Sequence, residues 1–481
     1  MKLFINKKRG FVLLNSIVFG TIATILIIGL TSWFGVTIKG SRGLANREQA
    51  FHIAEAGIDY YRWHLAHNRD DYQDGTEGDG PYIHDFFDKD GNKIGEFSLN
   101  ITKPITGSTV VTIESTGTIE TDQDVSRTIR TQLAIPSFAK YVFVADEAVR
   151  FGEDTEVFGQ VHSNDGIRFD GLAHNLVTSA KEDYDDPDHS GQKEWAVHTH
   201  VSPTDALPPT AMADRFDIFE IGREVGVPAI DFDGLTSDMA DLKTDAQENG
   251  HYYASSGKQG YRILFKADNT YDLYKVESQA SKHSSCNNAL GQSKWDTWSV
   301  DAESFIGNYE IPENGIIFLE DHTWVEGEID GSRVTVAVAR FPEAPGQYRN
   351  IIINNDLEYN NFDGTDVIGL IAQGDIHIGM ISDDNLIINA AMIAQNGRVG
   401  RYYYRGPWSR KPGCSPYHVR SEVDIYGMIA TRQRYGFAYT DNTGYQTRNI
   451  TYDTNLLFAP PPNFPLTSDQ YEIISWEEVE N

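Results

Sequence analysis

The chain has 481 residues, 40% hydrophobic and 12% aromatic, and carries 70 acidic against 40 basic side chains for a formal net charge of −30. That length accommodates two or three domains of about 100–200 residues each. So acidic a surface argues against nucleic-acid binding, which needs basic patches, and keeps an exported domain soluble.

Lys2, Lys7, Lys8 and Arg9 precede an uncharged apolar run, Phe11 to Ile38, of 28 residues. As a helix that run is about 42 Å long, more than the roughly 20 apolar residues a bilayer core requires. The positive-inside rule places Met1 in the cytoplasm and the remaining bulk outside. A signal anchor, or a secretory signal peptide cleaved further on, is the plain alternative, but the long run continues into a helical pattern instead of a cleavage loop. Leu44, Phe51, Ala54, Ile58, Tyr61 and Leu65 recur at helical spacing and predict one apolar face. Gly35, Gly40 and Gly43 are expected to loosen the join between the two halves.

Gly10-Phe11 behind a short basic leader resembles the class III signal of type IV pilins and pseudopilins. The resemblance covers roughly the first 65 residues. It implies that a prepilin peptidase cuts after Gly10, that Phe11 becomes the methylated N-terminus, and that the helix is retained as filament core. The stretch Ala50 to Ile58, with Phe51, Ala54, Glu55 and Ala56, resembles the Ala-rich helix of PilX-type minor pilins and implies a role in assembly. Most pilins carry a glutamate five residues after the cut; here Asn15 stands in its place. A carboxylate in lipid needs a partner, so its loss suggests a tip or priming subunit, the alternative being a divergent pilin placed anywhere in the fibre.

Asn68 to Gly80 is acidic and Gly-rich and reads as an exposed loop. Gly95–Thr102, Thr109–Glu114, Gly117–Glu120 and Val125–Ile135 alternate as an antiparallel meander should, ending near Pro136. Beyond it a weak repeat emerges. Gly369–Gly374 and Ala391–Gly397 lie 22 residues apart, and Gly427–Thr431, Val157–Val161 and Val325–Ile329 have the same character. Short apolar strands that bury themselves only by stacking suggest a parallel β-helix, with a β-sandwich as the alternative. The fold class expected is therefore α+β: a long N-terminal transmembrane and amphipathic helix, an antiparallel pilin-like sheet, then a large mainly-β head built as a discontinuous parallel β-helix. The divisions are 1–10 leader, 11–67 helix, 68–136 sheet, 137–179 first coils, 180–314 insertion, 315–440 main coils and 441–481 tail. Within the insertion, His174 to Pro209 reads as a surface loop. Leu235–Asn249 reads as a helix with Thr236 as N-cap and Gly250 as C-cap, and Tyr261–Lys266 with Thr270–Glu277 as a hairpin.

Candidate sites are few. Cys286 and Cys414 are either two separate thiols or, in an oxidising compartment, one bridge. Asp88, Asp90 and Asn92 begin like a calcium loop, but Lys93 and Leu99 stand where an EF-hand needs Gly and Glu, so a β-turn is favoured over weak calcium binding. Asp183 to Asp188 is similar. His198 and His200 share one side of a strand and His189 is near, which makes zinc conceivable, but no Cys pair or HExxH accompanies them and a solvated loop is favoured. Catalytic motifs are absent. The function expected is a minor pilin or tip subunit of a type IV pilus or related filament, lodged in the inner membrane and then at the cell surface. Its partners would be other pilins, the prepilin peptidase, the assembly platform and a surface or glycan ligand, with no cofactor required. The alternative is a membrane-anchored solenoid that binds or degrades polysaccharide, with Tyr402–Tyr404 and Trp408 stacking on sugars.

Overall fold

The computed structural model describes residues 9–105, 108–153, 155–189, 191–434 and 436–479, without the side chains of Arg9, Gly10, Thr236 and Ser237. The chain falls into two units. The first holds the chain up to Lys103, Val111–Leu133 and the segment from Ile473 on; the second holds Pro104–Val110 and Ala134–Glu472.

In the first unit a single helix, α1 (Arg9–His67), runs 59 residues without a break, straight through Gly35, Gly40 and Gly43. Its C-terminal third packs on a five-stranded antiparallel sheet. Four strands are consecutive: β1 (Tyr82–Phe87), β2 (Lys93–Thr102), β3 (Val111–Ile119) and β4 (Asp122–Ala134). The fifth, Glu472–Val479, comes from the far end of the chain and lies beside β4. Strict alternation along β3 turns Val111, Ile113, Ser115, Gly117 and Ile119 toward the buried side. Ala50, Ile53, Ala54, Ile58, Tyr61 and Leu65 form the buried face of α1. The face does not extend back to Leu44, which is 70% exposed. Asn46 already reaches the turn between β3 and β4, where its amide donates to Asp122 at 3.1 Å, so Leu44 lies beyond the sheet. The two segments read as Thr109–Glu114 and Gly117–Glu120 are one strand, and Tyr82–Phe87 was not anticipated.

The second unit is built on parallel ladders. One ladder runs in the order His251–Tyr253, Ile316–Leu319, Arg333–Val338, Val367–Ala372, Asn385–Ala394, Val419–Thr431, Phe143–Ala145, Val161–Ser163, Val177–Ser179 and Arg223–Val225. The chain therefore enters in the middle, because Phe143–Ala145 pairs with Ile429–Thr431. Gly369 pairs with Ala391, the register that the 22-residue repeat implies. Ile317, Val336, Leu370, Met392, Ile429, Phe143, Val161 and Val177 succeed one another in register and share one core. A second ladder joins Gly260–Lys266, Thr323–Ile329, Ile351–Ile352, Ile376–Ile378 and Val399–Arg401. The copy Val325–Ile329 belongs to that ladder and not to the first.

The first ladder is apolar on both sides, as parallel sheets covered on both faces are. Its outer side is covered by Leu235, Met239, Leu242 and Ala246 of α2 (Leu235–Asn249), with Phe138, Phe232, Leu456 and Phe464. Gly234 is the N-cap of α2, so Thr236 lies inside the first turn; Gly250 is the C-cap.

Three sequence boundaries change. The first coils continue to Arg223–Val225 instead of ending at 179. The region 180–314 is no separate insertion, since His251–Tyr253 and Gly260–Lys266 are ladder strands, from which Thr270–Gln279 and Val300–Glu310 extend as antiparallel strands. The region 441–481 is no tail, since Gly444–Tyr452 pairs with Val419–Thr431 and Glu472–Val479 completes the other unit's sheet. Periodicity within a segment does not reveal which distant strand supplies its partner.

Candidate functional site

The N-terminal half of α1 is the first candidate. Phe11 to Ile38 is exposed along its whole length, and the helix is long and apolar enough to cross a membrane. Most of its hydroxyls are satisfied internally: Ser16 donates to the Val12 carbonyl at 2.9 Å, Thr24 to Gly20 at 2.8 Å and Thr31 to Ile27 at 2.9 Å. Such back-bonding leaves little polar surface for lipid to reject. Asn15 is exposed within this run. Residues 1–8 lie outside the described residues, and of Gly10 only the helical backbone is described. Farther along, Ala54 is buried under the sheet, and Phe51 is half-buried, edge-on to Trp476 at 6.0 Å. Glu55 is half-buried and meets the His52 ring at 2.9 Å; Ala56 is half-buried too.

The Asp88–Asn92 turn closes on itself. Asp88 accepts from the backbone N–H of Asp90 at 2.9 Å, that of Asn92 at 2.8 Å and the Asn92 amide at 3.1 Å. Those bonds hold the Asp88 carboxyl below its usual range and occupy the oxygen a cation would need.

Cys286 and Cys414 form a disulfide across 128 residues. It is buried with Trp298, Trp324, Met380, Tyr402 and Tyr404. Tyr402, Tyr403 and Tyr404 are all buried, the last against the Arg401 guanidinium at 4.8 Å, so none of them offers a face to a sugar. Trp408 is half-buried, with Arg405 over its ring at 4.0 Å.

Among the described residues, a group of metal-ligating atoms lies in the stretch read as a surface loop. Asp183–Asp185 and Lys193–Trp195 form a small antiparallel hairpin, and Val197–His198 then pairs in parallel with Ile167–Arg168. The fold thereby brings ligand atoms of Asp186, Glu194, His198 and His200 within 4.8 Å of one another. Asp186, Glu194 and His198 are buried and His200 nearly so. His198 Nε2 lies 3.0 Å from Glu194 Oε2 and 3.7 Å from Asp186 Oδ2, and His200 Nε2 lies 2.7 Å from Glu194 Oε1. His189, 52% exposed, approaches Glu194 Oε1 from outside at 3.0 Å. Burial holds the His198 ring below its usual range, against the raising effect of Glu194 and Asp186. Of the histidines noted in the sequence, His198 and His200 are thus assembled and His189 stands at the rim. Asp186 had been noted only within an acidic run. Glu194 was missed, and its position four residues before His198 was the available signal.

No protein-family model matches the chain, and no curated protein matches it. Among solved structures, the competence-associated pilin ComZ from Thermus thermophilus is similar at 14% identity, covering 90% of this chain and 98% of that one, with a TM-score of 0.30.

Proposed function

We propose that the chain is a minor pilin-like subunit of a type IV pilus or a related filament. One observation carries this reading: an exposed, uncharged apolar helix continues without a break into a helix half-buried on its own antiparallel sheet. Such a rod can exchange lipid for sister rods, because burying apolar surface is favourable in either setting. The parallel ladders of the second unit form a β-solenoid head that the rod carries. Asn15, in place of an acid that would need a partner in the membrane, supports a place at the tip, where the head primes assembly and contacts a surface. Partners on this reading are other pilins, the prepilin peptidase and the inner-membrane assembly platform. The route runs from the inner membrane to the cell surface, and the chain acts by assembly, without catalysis.

Mass spectrometry of the chain isolated from cells, with and without the peptidase, tests the reading. The expected mature form begins at a methylated Phe11 and co-purifies with filaments. A chain that still begins at Met1 in peptidase-competent cells and never enters a filament would overturn it.

A further inference from the structure

The cluster in the second unit has an unsatisfied centre. His198 Nδ1 lies 3.1 Å from the Trp195 carbonyl oxygen, which can only accept, so Nδ1 carries the proton. Nε2 is then the atom left to act as a ligand, with a carboxylate oxygen of Glu194 3.0 Å away. Among the described residues, His198 Nε2, Glu194 Oε2 and Asp186 Oδ2 are all buried without a hydrogen-bond partner. Glu194 Oε2 and Asp186 Oδ2 lie 3.0 and 3.7 Å from His198 Nε2, all on side chains more than nine-tenths buried, and such a group of electron-rich atoms is stabilised by a cation among them. Among the described residues, the guanidinium nearest Asp186 does not fill this role: Arg168 is held by Asp170 at 2.7 Å and stands 3.8 Å from Asp186 Oδ2.

We propose that Asp186, Glu194, His198 and His200 bind a divalent transition-metal ion, zinc in the first instance. Two imidazoles with two carboxylates suit zinc and not calcium, whose ligands are oxygens. Ligands about 2.0–2.1 Å from a tetrahedral ion stand about 3.3 Å apart; Glu194 Oε2 and Asp186 Oδ2 lie 3.0 and 3.7 Å from His198 Nε2, within a group that spans up to 4.8 Å. Two carboxylates and two neutral imidazoles leave a charge of −2, which the ion cancels. The hydrogen bond from His198 to the Trp195 carbonyl is the outer support that metal-bound histidines have. On its outer side His200 lines a cleft of about 480 Å³ together with Glu153, Glu156 and Asp170. The ion would clip the hairpin that ends at Trp195 onto the ladder strand Val197–His198. This site is independent of the filament reading and survives its failure.

The test uses the full chain in detergent, stripped with chelator and titrated with zinc by calorimetry, with metal content measured by mass spectrometry and coordination by X-ray absorption. One zinc per chain is expected, bound by nitrogen and oxygen at about 2.0–2.1 Å and not displaced by excess calcium. Glu194→Gln and His198→Gln should each weaken binding at least about 100-fold. His200→Ala, at the cleft wall, should do the same while the circular dichroism of the unloaded chain stays unchanged, so a misfolded core variant does not blunt the test. Failure of the wild-type chain to hold stoichiometric zinc at micromolar concentration, or equal binding by His200→Ala, would overturn the proposal.

Discussion

The contact between α1 and β3 rests on a missing side chain, and this makes it quantitatively testable. A Cβ on Gly117 would stand 2.1 Å from the Ala50 carbonyl oxygen and 2.5 Å from the Ala54 nitrogen. Both are backbone atoms of a helix, so no rotamer change relieves the clash. Carbon and carbonyl oxygen need about 3.3 Å, which requires helix and sheet to separate by about 1 Å. A gap of that size forfeits a quarter to a half of each dispersion contact across the interface. Gly117→Ala should therefore lie at the upper end of overpacking costs, about 3 kcal/mol. Gly40→Ala is the control: nothing lies within 4 Å of its Cβ, and alanine in a helix interior is favoured by about 1 kcal/mol. Hydrogen exchange of the full chain in detergent reads the difference locally. At 1.4 kcal/mol per tenfold, peptides from residues 50–65 and from β3 should exchange about 100-fold faster in Gly117→Ala and no faster in Gly40→Ala. Protection in Gly117→Ala within threefold of wild type would refute the packing argument.

Other expectations concern the second unit. His322 is pushed down to about 4, first by burial and then by the Arg349 guanidinium, and His377 is held well below its usual range by complete burial. Both are lowered in the folded state, so their stabilisation is complete above pH 6.5 and fades as pH falls toward 4, with His322 alone accounting for about 3 kcal/mol. Denaturant titrations at pH 7 and 4.5 should show a smaller difference for His322→Gln than for wild type, and equal differences would contradict this. Cys414→Ser opens a loop closed across 128 residues and should lower stability by up to about 5 kcal/mol, measured against wild type under non-reducing conditions. Arg262 binds Glu303 at 2.6 Å and also Glu326, and it lies over the Tyr274 ring at 4.1 Å. Arg262→Met strands two carboxylates and should cost about 3 kcal/mol; adding Glu326→Gln should recover part of it, and a double variant no more stable than the single one would argue against the ion-pair account.

Much of the architecture was legible because it is written locally. An uncharged run as long as Phe11 to Ile38 has few folded alternatives to an exposed or membrane-crossing helix, and the spacing of Ile58, Tyr61 and Leu65 marks a buried face wherever that face docks. The two ladder strands that hold Gly369 and Ala391, 22 residues apart, carry their register in the sequence because one coil repeats the environment of the other. What stayed hidden depends on distant partners. That Glu472–Val479 completes a sheet with β4 follows from surfaces brought together by hundreds of intervening residues. The carboxylate and histidine cluster was concealed for the same reason: polar spacing alone describes a solvated loop, and only the hairpin and its docking on Ile167–Arg168 exclude water from Glu194 and His198. Sequence determined which segments are helix, strand and membrane-length rod, since those are set by near neighbours. Tertiary structure decided which polar groups lose their water, and with that loss comes the electrostatic demand for a bound ion.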